Sequence, residues 1–119
     1  VLYETLINYP GLKFALAHIS WPWTDECLAV FGHSRSLAGT RGDSSGMWID
    51  CSRGTPDAWR EDALHKAVIF AGCSRLMYGT DWPLANLENS LEFTAELIPA
   101  KYHDMIFYDN ARRIYSLDF

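Results

Sequence analysis

Three short, almost wholly apolar runs set the strongest limit on what this chain can fold into. They are Lys13-Phe14-Ala15-Leu16-Ala17-His18, Met47-Trp48-Ile49-Asp50-Cys51 and Arg75-Leu76-Met77-Tyr78-Gly79-Thr80. Runs of this length without polar alternation suit strands buried on both faces. Each is closed by residues that turn the chain: Ile19-Ser20-Trp21-Pro22 after the first, Ser52-Arg53-Gly54 after the second, Asp81-Trp82-Pro83 after the third. The stretches between them are long enough for helices, and strands that alternate with helices pair in parallel through right-handed crossovers.

The helical stretches carry their own start and stop signals. Leu2, Leu6 and Ile7 give an apolar face before Tyr9-Pro10-Gly11, so the chain is expected to open inside a helix of a larger fold. Thr24 is placed to cap a helix with Asp25 and Glu26 in its first turn, running to about His33. Residues 34–46, rich in Ser and Gly and without periodicity, read as loop. Thr55-Pro56-Asp57 supplies a cap, a first-turn proline and an acid for the next helix, with Trp59, Ala63, Ala67 and Phe70 on its apolar face and Gly72 at its end. From Asn86 a helix puts Leu87, Leu91, Ala95 and Ile98 on one side and Glu88, Glu92 and Glu96 toward solvent, until Pro99 ends it. Lys101 to Leu117 reads as one or two further helices.

Composition removes several partner classes. With 119 residues and 49% hydrophobic content the chain can bury one modest core. Its formal charge of −5 is spread along the sequence, and only Arg112-Arg113 stand side by side as basic residues, so no footprint for nucleic acid is present. No apolar run approaches the roughly 20 residues that span a bilayer. The three cysteines, Cys27, Cys51 and Cys73, are odd in number and form no CxxC pair, which predicts a reducing, cytoplasmic setting.

In parallel α/β folds the reactive groups gather where strands end at their C-terminal edge. Those positions here hold His18, Ser52 and Asp81. An imidazole and a carboxylate at two strand ends can act as metal ligands, or as acid and base toward metal-activated water. Asp50 lies within a strand, where a buried carboxylate needs a partner, and is a supporting candidate. The plainer alternatives are a turn role for Asp81 before Trp-Pro, and for His18 a buried ring bound to a carbonyl. His33, His65 and His103 fall on loop or helix surfaces. Arg41-Gly42-Asp43 spells an integrin-recognition tripeptide, a chance match in a cytoplasmic chain.

FALAHISWPWTDECLA, YGTDWP and the closing DNARRIY, in that order, resemble the C-terminal part of amidohydrolase-related barrel proteins. That group includes enzymes like aminocarboxymuconate-semialdehyde decarboxylase and pyrone-dicarboxylate lactonase. The resemblance implies an α/β chain forming the C-terminal part of a (β/α)8 TIM barrel, about three parallel strands with intervening helices. A whole barrel takes roughly 250 residues, so residues 1–119 are expected to be a partial domain lacking its N-terminal strands. A flavodoxin-like fold is disfavoured because no Gly-rich phosphate loop follows any strand.

By the same resemblance, Asp81 matches the acid at the end of the last strand, a metal ligand or proton acceptor, and His18 an earlier strand-end histidine that engages substrate, water or metal. Trp21, Trp23 and Trp82 would shape the pocket mouth, Trp21 and Trp82 as substrate contacts. The cofactor implied is a divalent metal, zinc, in the complete enzyme. The activity implied is hydrolysis, or related decarboxylation, of a small carboxylated or cyclic molecule. The sequence departs from the family in having no His-x-His pair, the usual principal ligands, and in carrying Ser20 where glycine often follows the histidine. The chain is therefore expected to supply part of a site and to pair with a missing N-terminal portion or with another copy. The alternative is a non-catalytic α/β fragment or interaction module.

Overall fold

The computed structural model describes residues 1–42 and 45–119. Its regular elements are α1 (Leu2–Asn8), β1 (Phe14–Leu16), α2 (Thr24–Arg41), β2 (Met47–Asp50), α3 (Asp57–Phe70), β3 (Leu76–Met77), α4 (Leu87–Leu97) and α5 (Asn110–Tyr115). Short 3-10 turns occupy Ala17–Ser20, Cys73–Arg75 and Ala100–Tyr102, and a π turn spans Met105–Asp109.

The sheet has the order β1-β2-β3, all parallel, with Phe14 opposite Met47, Leu16 opposite Ile49, and Ile49 opposite Leu76. Alternation along β2 divides the core. Met47 and Ile49 point into the larger cluster with Leu6, Leu28, Phe31, Leu64 and Leu76, so α1, α2 and α3 cover that face together. Trp48 packs on the other face with Met77 and Ile114. Both faces of β2 are thus dry, which is why its run reads as unbroken apolar sequence.

Several boundaries differ from expectation, each for a local reason. The strands are shorter than the apolar runs, because the backbone turns away at Ala17 and after Met77. The helix begun at Thr24 continues past His33 to Arg41 and ends at Gly42 in the left-handed region (φ 73°). Its inward face is Cys27, Leu28, Phe31, Ser34 and Ala38. The last two are small or polar, and the Ser34 hydroxyl is satisfied by the Ser45 hydroxyl, so composition gave no helical signal there. Asp43 and Ser44, part of the expected loop, lie outside the described residues. Arg41 donates to the carbonyls of Leu6 and Ile7 at 3.3 Å each, closing the end of α1.

Caps shift by one residue: Thr24 is the first residue of α2 after Trp23, and Pro56 rather than Thr55 precedes α3. The inward residues of α3 are Arg60, Ala63, Leu64 and Ala67, whereas Trp59 and Phe70 are 55% and 45% exposed. Arg60 takes the buried position because its guanidinium lies over the Phe93 ring (4.6 Å) and donates to Thr94 Oγ1 at 2.9 Å. α4 consequently turns Ser90 and Thr94 inward and leaves Leu87 and Leu91 exposed, against expectation, while Glu88, Glu92 and Glu96 face solvent and Ile98 is buried as expected. Its Asn86 cap is present as expected, accepting from the Asn89 amide at 3.0 Å.

Candidate active site

His18 enters the site through an unusual turn. His18, Ile19 and Ser20 all have left-handed backbone, with φ of 57°, 51° and 58°. For a β-branched residue such as Ile19 this is strained, at a cost of about 1–3 kcal/mol. The turn is held by packing and hydrogen bonds: Ile19 is 2% exposed, Thr55 Oγ1 donates to the His18 carbonyl at 2.6 Å, and Trp21 N donates to the same oxygen at 3.0 Å. Ser20 occupies backbone space that glycine enters without penalty.

Asp81 arrives from β3 through Tyr78-Gly79-Thr80 and is likewise left-handed (φ 57°). The two exits converge. His18 Nδ1 lies 3.3 Å from Asp81 Oδ2, with both side chains partly exposed. The same ring nitrogen is 2.6 Å from Ser52 Oγ. Ser52 in turn donates its hydroxyl to Asp50 Oδ2 at 2.9 Å and its amide to Asp50 Oδ1 at 2.7 Å. Ser52 has one hydroxyl proton and gives it to Asp50, so toward His18 it can only accept. Nδ1 therefore carries the proton in this arrangement, and Nε2 is left as the basic nitrogen. Burial pushes the Asp50 carboxyl above its ordinary range, and the two Ser52 bonds pull it part of the way back.

Two glycines make room for this chain of contacts. A side chain at Gly54 would overlap the His18 ring. At Gly79 a Cβ would come within 2.6 Å of Asp50 Oδ1 and 2.9 Å of Ser52 Cβ. The sequence signals His18 and Asp81 as strand-end residues, but nothing in it marks Gly54 and Gly79 as spacers, since each also reads as an ordinary turn glycine.

A cavity of about 420 Å³ opens beside Asp81, lined by Arg53, Gly54, Asp81, Leu84, Ala85 and Asn86. Neither His18 nor the tryptophans line it. Trp21 stacks at 4.8 Å on Trp59, and Trp23 and Trp82 stand 64% and 69% exposed. Arg53, which no sequence motif singles out, brings a guanidinium to this cavity, paired to Asp57 at 2.6 Å. His33 lies against Tyr3, and His103 bonds to the carbonyls of Ala95 and Ile98, both away from this cleft.

Among the described residues no group of three or more His, Cys, Asp or Glu could hold a metal ion. The donor set is therefore incomplete, since catalytic zinc takes three protein ligands. Asp81, a partly exposed carboxylate at the cavity, has the chemistry of one ligand. The three cysteines are free and buried, and burial pushes the Cys51 thiol well up, so none presents a thiolate to this site. No helix among the described residues is long and apolar enough to cross a membrane.

The amidohydrolase family model matches residues 1–117, nearly the whole chain. The chain belongs to the amidohydrolase family. A gamma-resorcylate decarboxylase from Rhizobium radiobacter is 32% identical over 65 residues, which is 54% of this chain and 20% of that protein. Among solved structures, an uncharacterised TIM-barrel protein from Bordetella bronchiseptica superposes with a TM-score of 0.71 at 21% identity, covering 97% of this chain and 38% of its own. An amidohydrolase from Burkholderia multivorans with bound zinc gives 0.66 at 24%, covering 98% and 48%. This amidohydrolase chain thus has the fold of a partial TIM barrel and spans less than half the length of the solved barrels it resembles.

Proposed function

We propose that this chain forms the C-terminal part of a metal-dependent amidohydrolase-type enzyme, acting on a small carboxylated or cyclic substrate by hydrolysis or by related decarboxylation. The observation that carries this reading is the convergence of His18 and Asp81, from two different strand exits, to 3.3 Å. A divalent ion, zinc being the expected one, would polarise the substrate and acidify a water molecule. Asp81 is the one residue of this chain assigned as its ligand, and the remaining ligands are assigned to sequence outside it.

Within the chain, Asp81 accepts a proton at its carboxylate, and His18 exchanges one at Nε2. Ser52 and Asp50 hold Nδ1 protonated and fix the ring, the role that outer partners play around ligand histidines. Trp21 and Trp82 follow the two exits outside the cavity beside Asp81, and are assigned to the rim of a substrate pocket that the rest of the barrel would complete. The similarity to a decarboxylase of a hydroxybenzoate favours decarboxylation as the first reaction to assay. A second reading, a non-catalytic partner module, is favoured by the shortage of metal donors among the described residues.

Calorimetric titration with zinc, in the isolated chain and in the complete barrel, separates the two. The expected outcome is weak binding by the chain alone, and tight binding by the whole protein that falls on Asp81→Asn together with decarboxylation of 2,6-dihydroxybenzoate or hydrolysis of a pyrone dicarboxylate. Tight stoichiometric binding by the chain alone would refute the ligand assignment. A whole protein that binds no metal and turns over neither substrate class would favour the module.

A further inference from the structure

A second cavity, of about 560 Å³, opens at the opposite edge of the sheet, where the strands begin. It is lined by Lys13 just before β1, Ser45 and Gly46 before β2, Arg75 before β3, Arg113 of α5, and Trp48. The chain has 10 basic residues against 15 acidic ones, yet three of the bases border this one space and, among the described residues, no acidic one lines it.

The guanidiniums are prearranged. Arg75 and Arg113 both lie over the Trp48 indole, at 4.9 and 5.0 Å from the ring centre. Stacking on an aromatic face attracts each cation and holds it flat. Each is also tethered through one nitrogen to a backbone carbonyl, Arg75 Nη1 to Ser45 at 2.7 Å and Arg113 Nη2 to Ser74 at 2.7 Å. Arg113 Nη2 also reaches Asn110 Oδ1 at 2.8 Å. The remaining N–H groups have no protein partner among the described residues. Burial, and then the neighbouring Arg113 charge, hold the Arg75 guanidinium below its usual range. An anion between them would offset both.

We propose that this cavity is a phosphate-binding site, in which Arg75 and Arg113 grip the oxygens and Lys13 adds a third charge. A guanidinium fork matches the oxygens of a phosphate group in two-point contact, and an ammonium completes the charge as a mobile point donor. The site lies across the sheet from His18 and Asp81 and is independent of their chemistry.

Titration of the full chain with inorganic phosphate, at an ionic strength held constant with chloride, tests it. Saturable one-to-one binding is expected. Lys13→Gln removes a charge from a side chain with no hydrogen bond among the described residues, and should weaken phosphate by about 3- to 10-fold. Arg113→Gln should weaken it further, and Asp81→Asn should leave it unchanged. Heats that vanish at matched ionic strength, a Lys13→Gln chain that binds as tightly as the parent, or acetate that binds as tightly as phosphate would each overturn the assignment.

Discussion

Asp50 shows how much of a site can hang on one half-buried carboxylate outside the cavity. Its carboxyl is pushed up by burial, so the folded chain holds a proton there more readily than the unfolded chain. Such a group favours the fold at acid pH, and that contribution is lost as pH climbs through the raised folded value. At neutral pH its charge works against the fold. Asp50→Asn keeps an acceptor for the Ser52 amide and removes the charge, so any thermal advantage over the parent should be largest near pH 7 and shrink toward about pH 4. Melting temperatures of both proteins across that range check the sign, and an advantage that grows on acidification would contradict it. The same substitution turns a donor toward Ser52 Oγ, which frees the Ser52 proton for His18 Nδ1 and works against the protonation favoured by Asp81. In the complete enzyme activity should fall about 10- to 100-fold, with the His18 nitrogen shifts moving toward the other tautomer. The position of His18 and Asp81 at strand exits was legible because strand ends are few. The Ser52 link was not, because a serine two residues after an aspartate is equally a turn.

Elements were legible where burial and periodicity agreed, and misread where a polar side chain took an inward position. α3 is the clearest case: the sequence offers Trp59 and Phe70 as core, but Arg60 fills that place with its charge over Phe93 and a bond to Thr94. α2 was cut short for the related reason that Ser34 and Ala38 make its last inward turns. At the chain's end the DNARRIY motif proves to be a structural tie. Asn110 is 1% exposed, and its amide donates to the carbonyls of Cys73 and Leu76 at 2.7 Å each, while its oxygen accepts from Arg113. Every polar atom of that side chain is used, and α5 is thereby pinned to the entry of β3. Asn110→Leu keeps the branched shape in a somewhat larger side chain and leaves the two carbonyls without their donor, so it should lower stability by about 2–4 kcal/mol. Chemical denaturation measures this, and a loss below about 1 kcal/mol would show that the tie is dispensable.

At the scale of the molecule, the sheet stops at β1 and β3, both edge strands. In the segment that follows β3, Leu84, Leu87 and Leu91 are 92%, 49% and 46% exposed. The parallel α/β order was legible, since three apolar runs alternate with helices, whereas its barrel character was legible only through the resemblance carried by FALAHISWPWTDECLA, YGTDWP and DNARRIY. What covers the edges was not, because a sequence pattern reports that a face is apolar without naming its partner. Open strand edges and an exposed apolar helix face each favour pairing with another chain. We therefore expect this chain to associate, either with the rest of a barrel or with a second copy, through the β3 and α4 side. Sedimentation at micromolar concentration should give a mass at least twice that of one chain. Leu87→Glu combined with Leu91→Glu places two charges on that face without touching the inward Ser90 and Thr94, and should shift the population toward monomer by about tenfold or more in dissociation constant. A parent chain that is monomeric and unfolds in one cooperative transition would refute the association. It would mean that the strands are sufficiently capped by the chain's own elements, as Tyr78 already is by the carbonyl of Ile106 at 3.1 Å.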